Sequence, residues 1–178
     1  SLKHLTATQN ELFALLGVCA KEGFALATVY AITSREKSDI DLGLARLIRL
    51  SLLNKGNEVD RFILHPLLHA LASEIAIEKG LYQFAEERHT QFFINFASQH
   101  RGLSVDNLDT IENELDGLLL TAYRLINHEI VNYGYYLALE PFFQARGYWA
   151  QALELVDSYL TLAKKISNWN YVVQMLLQ

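Results

Sequence analysis

Apolar side chains recur along most of this chain with the 3.6-residue period of amphipathic helices. In the first third, that period predicts three short helices whose inward positions begin at Leu12, Leu26 and Ile40. A fourth helix is predicted over Pro66–Lys79, because proline fits the first helical position and Gly80 fits the residue that follows the last one. The chain therefore opens with a set of short helices.

Short polar residues mark where several helices should begin. Thr8-Gln-Asn-Glu11 has the spacing of a capping box and is predicted to start the first helix. Asp39 is predicted to cap the third helix. Further along, Asp106 or Asn107 is predicted to cap a single helix that runs to about Asn127.

A small β-hairpin is predicted between the third and fourth helices. The turn-prone Lys55-Gly56-Asn57 separates two short apolar segments, and the second segment contains the β-prone pair Phe62 and Ile63. Three helices followed by a hairpin is the element order of a winged helix-turn-helix. The sequence therefore predicts a winged-helix-like domain over residues 1–79.

Beyond Gly80 the pattern predicts helices and no strands. The predicted helices cover Tyr82–Arg101, the segment to about Asn127, about Ile130–Arg146, about Tyr148–Ser167, and the chain from Trp169 onward. The connections are short, so neighbouring helices should pack as antiparallel hairpins. The predicted fold class is mainly α, with a second, helical domain over residues 80–178.

The last third of the chain resembles a tetratricopeptide repeat. Bulky residues occupy the first helix of the pair, Gly147 makes the tight turn, and small or apolar residues line the second helix; these residues are Tyr136, Leu139, Phe143, Trp149, Ala152, Leu153, Val156 and Leu160. The resemblance implies an α-superhelix of stacked helical hairpins. Such pairs expose a concave face where aromatic side chains can anchor a protein or peptide, so Tyr136, Phe143 and Trp149 are predicted to bind a partner.

Composition narrows the class of protein. The chain has 178 residues, of which 51% are hydrophobic and 20% are charged, as in ordered globular proteins. The formal net charge of −5 does not favour nucleic-acid binding. Cys19 is the single cysteine, so an internal disulfide is impossible, and we expect its thiol to be buried and inert. No signal peptide or apolar run of about 20 residues is present, so we expect a cytoplasmic protein without a membrane span.

The order of the motifs resembles the region that follows the nucleotide-binding domain of STAND ATPases, the signal-transduction class that includes NB-ARC proteins. The matching segments are Leu47-Ile-Arg-Leu-Ser-Leu-Leu53, Phe62-Ile-Leu-His-Pro-Leu-Leu68, Arg88-His89 with Phe92-Phe93, and Glu112-Asn113-Glu-Leu115. The resemblance implies a non-catalytic regulatory region whose main partner is the protein's own N-terminal nucleotide-binding domain. It also implies that His65 senses the phosphates of ATP or ADP held by that domain. Since the chain starts at Ser1 and stops at Gln178 inside a helical pattern, we expect it to be a piece of a longer protein, cut within its helical domain.

The sequence contains no motif that is typical of a catalytic site. No G-x-x-x-x-G-K-[ST] loop occurs, so we expect no enzyme activity and no cofactor in this region itself. His65 and His69 are four residues apart and could face one metal ion, but the intervening residues lack the glutamate of H-E-x-x-H, and we predict no metal site. Asp109, Glu112 and the acidic residues that follow are expected to form a solvated first turn of a helix.

A DNA-binding winged-helix regulator with a helical effector or dimerisation region is the alternative interpretation. The third helix would then be the recognition helix and would present Arg46 and Arg49, with Lys55 in the wing. Three cations are few for a site that must neutralise several phosphates. We therefore expect DNA binding to be the less favoured function.

Overall fold

The computed structural model describes residues 2–170 and residue 173. Over these residues the chain is mainly helical and contains a small antiparallel sheet, which confirms the predicted fold class. The helices are α1 (Ala7–Leu16), α2 (Leu26–Ile32), α3 (Lys37–Arg49), α4 (Pro66–Glu78), α5 (Tyr82–Gln99), α6 (Val105–Asn113), α7 (Leu115–Asn127), α8 (Tyr133–Arg146) and α9 (Trp149–Lys165). The strands are β1 (Phe24–Ala25), β2 (Asn54–Lys55) and β3 (Arg61–Ile63).

The chain divides into two compact units, Ser1–Phe92 and Phe93–Gln178. This division falls inside α5. The sequence-based boundary between residues 79 and 80 was drawn from the turn at Gly80, and it stays a prediction. None of the helices in the described part of the chain has the length and apolar character needed to cross a membrane.

The sheet of the first unit is built around β3. β3 pairs with β2 on one side, where Asn54 lies opposite Ile63, and with β1 on the other, where Phe24 lies opposite Phe62. The predicted hairpin is thus confirmed, and its turn is closed by the N–H of Gly56, which donates to the carbonyl of Arg61 at 2.8 Å. The two-residue strand β1 was not predicted.

The core of the first unit lies between α1, α3 and α4. α1 and α4 approach closely at Gly17, where a Cβ would lie 2.3 Å from the backbone nitrogen of Ser73. The hydroxyl of Ser73 donates to the carbonyl of Gly17 at 2.7 Å. Nε2 of His69 lies 2.8 Å from the carbonyl oxygen of Cys19. Cys19 is buried, as the sequence predicts.

Three of the predicted helix starts are wrong, those of α1, α3 and α6. α1 is capped by Thr6, whose hydroxyl accepts from the N–H of Gln9 while the Gln9 side chain accepts from the N–H of Thr6. Thr6 and Thr8 both have the capping-box spacing. The structure uses the upstream box, and Thr6 has the extended backbone of an N-cap residue. α3 starts after Glu36, which places Asp39 inside the first turn instead of at the cap.

The single helix predicted to run to Asn127 is also wrong, because the chain turns at Glu114 and forms α6 and α7. The predicted cap is wrong as well: α6 is capped by Ser104, whose hydroxyl accepts from the N–H of Asn107 at 3.3 Å, and Asp106 and Asn107 lie inside the first turn. Beyond the turn, Gly117 packs against the ring of Phe93, where a Cβ would come within 2.2 Å of the ring. The close approach of this ring requires a glycine at that position of α7.

α8 and α9 form the helical hairpin that the sequence predicts. Gly147 adopts the left-handed conformation with φ of 76°, which an L side chain rarely adopts, and ends α8. α8 starts at Tyr133 and α9 at Trp149, close to the predicted positions. Trp169 and Asn170 are helical as predicted, but most of the helix predicted from Trp169 onward lies outside the described residues.

Candidate partner-binding site

A cavity of about 330 Å³ opens along the α8–α9 hairpin of the second unit. We call it the α8–α9 groove, and it is lined by Tyr136, Glu140, Phe143, Gln144, Trp149, Ala152, Leu153 and Val156. The structure thus brings together the three residues that the sequence predicts to bind a partner, Tyr136, Phe143 and Trp149. Tyr136 and Phe143 are buried and form its floor, whereas Trp149 is 57% exposed.

The groove follows from local sequence. Tyr136 and Phe143 are seven residues apart, two helical turns, and therefore lie on the same face of α8. Trp149, Leu153 and Val156 repeat at i, i+4 and i+7 and therefore share one face of α9. The left-handed Gly147 reverses the chain between the two helices, so the two faces meet along one groove.

α9 is apolar on two faces, and the sequence-based prediction placed only one of them in the interior. The face predicted to pack inward contains Ala152, Leu153, Val156 and Leu160. In the structure Leu153 is 70% exposed, and the fully buried positions are instead Leu155, Tyr159, Leu162 and Ala163. This second face is the one that packs in the interior of the unit, where α9 contacts α7 and α8. The face that resembles the repeat therefore lines the groove.

The groove contains little charge. Among the described residues that line it, Glu140 alone is formally charged, and its carboxylate accepts a hydrogen bond from the amide of Gln144. Burial, together with the nearby carboxylate of Glu140, raises the pKa of Tyr136, so this hydroxyl stays neutral at ordinary pH. The arrangement can accept apolar side chains and one cation. Neither Glu140 nor Gln144 was predicted as a site residue, although Glu140 lies one turn from Tyr136 and Gln144 is next to Phe143.

The turn at one end of the groove is tied to α6. Arg146 forms ion pairs with Asp109 and, at 3.0 Å, with Glu112. The hydroxyl of Tyr148 donates to Glu112 at 2.9 Å, and this hydrogen bond is the main cause of the raised pKa of Tyr148. The expectation of a solvated acidic first turn is therefore wrong, because α6 starts at Val105 and places Glu112 in its last turn beside Arg146.

Two buried tyrosines, Tyr135 on α8 and Tyr159 on α9, face the interior of the second unit. The ring of Tyr159 packs edge-on against Tyr136 with centroids 6.5 Å apart, and its buried hydroxyl has no hydrogen-bond partner among the described residues. Burial raises the pKa of Tyr159. The hydroxyl of Tyr135, by contrast, donates to the carbonyl of Leu118 at 2.7 Å. These groups belong to the interior and not to the groove.

His65 and His69 lie in different surroundings. His65 is exposed at the N-cap of α4, where its Nδ1 accepts from the N–H of Leu67 at 3.3 Å. His69 is buried against the carbonyl of Cys19. Within residues 2–170 and 173, no cluster of three histidine, cysteine or acidic side chains is positioned to hold a metal ion.

The three cations of the DNA-binding alternative lie on two elements of the first unit. Arg46 and Arg49 occupy the last turn of α3, and Lys55 lies in β2. Acidic residues belong to the same elements: Asp41 on α3 accepts from the hydroxyl of Tyr30 at 2.6 Å, and Glu58 and Asp60 lie between β2 and β3. The elements that carry the three cations are therefore mixed in charge.

Comparison of the chain with protein-family models, with curated proteins and with solved structures finds no match.

Proposed function

We propose that this chain is a non-catalytic regulatory and protein-interaction region of a nucleotide-switched signal-transduction ATPase. The observation that supports the proposal is the topology of the first unit. Its elements follow the order α1, β1, α2, α3, β2, β3, and β3 lies between the other two strands, as in a winged helix. α4 and further helices that include the α8–α9 hairpin follow it, which fits the order of the STAND class that the sequence resembles.

The geometry at His65 is suited to sensing a phosphate. Because Nδ1 accepts the backbone N–H of Leu67, the proton of the neutral ring is on Nε2. His65 is exposed, so Nε2 can donate a hydrogen bond to an anionic oxygen of a docked domain. Exposed Leu67 beside it adds apolar contact area for that domain. ATP or ADP would be held by the nucleotide-binding domain, and this chain would contribute the sensing side chain.

The mechanism would be a change in docking and not a reaction. The first unit would dock on the nucleotide-binding domain in one nucleotide state more tightly than in the other, and a partner on the α8–α9 groove would bias the same equilibrium. A cytoplasmic location belongs to this proposal, because the switch depends on ATP. The mixed charge around Arg46, Arg49 and Lys55 gives no support to the DNA-binding alternative.

Substitution of His65 in the protein that contains the nucleotide-binding domain tests the proposal. His65→Asn keeps an N-cap side chain and so preserves α4, but it removes the ring donor. We expect the release rate of bound nucleotide to change several-fold, while His4→Ala, at an exposed histidine of the same unit, leaves it unchanged. Unchanged release in His65→Asn, with α4 intact, would contradict the sensing role.

A further inference from the structure

We propose that the α8–α9 groove binds an amphipathic α-helix of a partner protein, which presents bulky apolar side chains at i, i+4 and i+7 and a lysine or arginine to Glu140. This inference rests on the proposed interaction function and specifies the partner's chemistry. The face of α9 that lines the groove is its starting point. Leu153 is 70% exposed and Trp149 is 57% exposed, although both belong to an apolar stripe of one helix face.

The length of the groove fits a short helical stripe. Its floor runs from Tyr136 to Phe143, seven residues along α8, which corresponds to about 10 Å along the helix axis. Side chains at i, i+4 and i+7 of a partner helix span the same distance. Two turns of a partner helix therefore match the cavity.

The walls of the groove favour a helix over an extended peptide. Both walls are α-helices, and apart from the bond that Pro141 cannot donate in α8, their interior backbone groups are hydrogen bonded within each helix. An extended peptide would find no strand edge to pair with, and its own backbone groups would be left unpaired against apolar side chains. A helix satisfies its backbone internally and can bury an apolar face without that cost.

The negative charge of the groove indicates that the partner helix carries a positively charged side chain. Glu140 is the single formally charged side chain among the described lining residues, and Gln144 holds its carboxylate in place. Arg146, the cation nearest in sequence, is engaged by Asp109 and Glu112. A cation on the partner therefore has an acceptor in the groove.

The same charge disfavours two other occupants. A second copy that met this face across a two-fold axis would bring two Glu140 carboxylates towards each other. An anionic lipid surface would face the same repulsion. A helix that carries a cation meets neither difficulty.

A designed peptide supplies the probe. The peptide is an alanine-based helix of about 16 residues with leucines at i, i+4 and i+7 and one lysine a turn away from the central leucine. It is titrated into the full 178-residue chain carrying Trp169→Phe, so that Trp149 is the remaining tryptophan of the two in the sequence. We expect saturable binding with a blue shift of the Trp149 emission as this ring loses contact with water.

Two matched pairs of variants locate the contact. Leu153→Ala should weaken binding about tenfold. Leu42→Ala removes an equally exposed leucine, 71% against 70%, from the other unit and should have no effect. Glu140→Lys should weaken binding about fivefold, whereas Asp157→Lys, the same change of charge at an exposed site on α9 outside the groove lining, should change it less than twofold.

Several results would overturn the proposal. Equal binding by Leu153→Ala and the unsubstituted chain would place the peptide elsewhere. Sedimentation that shows self-association lost in Leu153→Ala would make a second copy the occupant, and a Trp149 shift on anionic vesicles without peptide binding would make it a lipid surface. Absence of peptide binding, with a clear effect of His65→Asn on nucleotide release, would remove this inference and leave the proposed function in place. By contrast, peptide binding without any His65 effect would refute the nucleotide-sensing role and leave this inference in place.

Discussion

Gly17 and Ser73 form the closest approach of α1 and α4: the hydroxyl of Ser73 donates to the Gly17 carbonyl at 2.7 Å, and a Cβ on Gly17 would lie 2.3 Å from the Ser73 nitrogen. The neighbouring contact is Nε2 of His69, which lies 2.8 Å from the Cys19 carbonyl oxygen. α4 therefore packs against the end of α1 through two side-chain contacts with backbone carbonyls and a close approach of the backbones at Gly17. His65 is the N-cap of α4, so its position depends on this packing of α4 against α1.

Gly17→Ala is predicted to destabilise the first unit by about 3 kcal/mol, because the new methyl group meets backbone atoms that cannot move aside. Urea unfolding followed by circular dichroism measures the change. Gly134→Ala is the matched control: its Cβ would meet only Asn132 Oδ1 at an ordinary 3.6 Å, so its free energy of unfolding should stay the same or rise by up to about 1 kcal/mol. Equal effects of the two substitutions would contradict the close packing at Gly17.

Two buried tyrosines are predicted to respond in opposite directions to loss of the hydroxyl group. Tyr159→Phe removes a buried hydroxyl that has no partner among the described residues, and it should stabilise the second unit by about 1 kcal/mol. Tyr135→Phe leaves the Leu118 carbonyl without its 2.7 Å donor and should destabilise by about 1 kcal/mol. Thermal unfolding of the two variants side by side gives both signs. Destabilisation by Tyr159→Phe would show that this hydroxyl has a partner.

Alkaline pH should weaken the first unit through Tyr30. Its hydrogen bond to Asp41 raises the pKa of Tyr30 from 10.0 to about 12. A raised pKa means that the neutral hydroxyl is favoured in the folded state, so this contribution to stability is fully present below pH 10.0 and is lost as the pH rises through about 12. Unfolding measured across this window should become less pH-dependent in Tyr30→Phe. An unchanged pH profile in that variant would refute the contribution of the Tyr30–Asp41 bond.

The chain is not expected to retard duplex DNA in a gel at moderate salt. The last turn of α3 offers Arg46 and Arg49, but Asp41 on the same helix and Glu58 before β3 counteract their field. A salt-dependent shift that disappears in Arg49→Ala would support the DNA-binding alternative instead. A shift that survives this substitution would reflect binding elsewhere on the chain.

Local signals explain what could be predicted from the sequence. Pro66 and Gly80 act through their own backbone preferences, so the limits of α4 were predicted almost to the residue. The turn at Gly56 likewise depends on adjacent residues, and the hairpin was predicted. The floor residues Tyr136 and Phe143 were found because they occupy bulky positions of the pattern that resembles a tetratricopeptide repeat.

Features that depend on neighbours in space were missed. β1 has two residues, too few to show an alternating pattern, and it exists because β3 offers an edge to Phe24. α9 is apolar on two faces, so its sequence could not decide that Tyr159 is buried and Leu153 exposed. That choice depends on the packing of α9 against α7 and α8. Glu140 was not predicted as a site residue because its role depends on the groove that α8 and α9 form together.

An exchange of charge between the protein and the peptide tests the central claim, that the α8–α9 groove binds a helix with a cation beside Glu140. The unsubstituted chain and Glu140→Lys are each titrated with the lysine peptide and with the same peptide carrying glutamate in place of lysine. The account predicts that the preference reverses: the unsubstituted chain binds the lysine peptide more tightly, and Glu140→Lys binds the glutamate peptide more tightly, each by about fivefold or less. If both proteins keep the same order of preference, Glu140 does not contact the partner's charge and the claim is wrong.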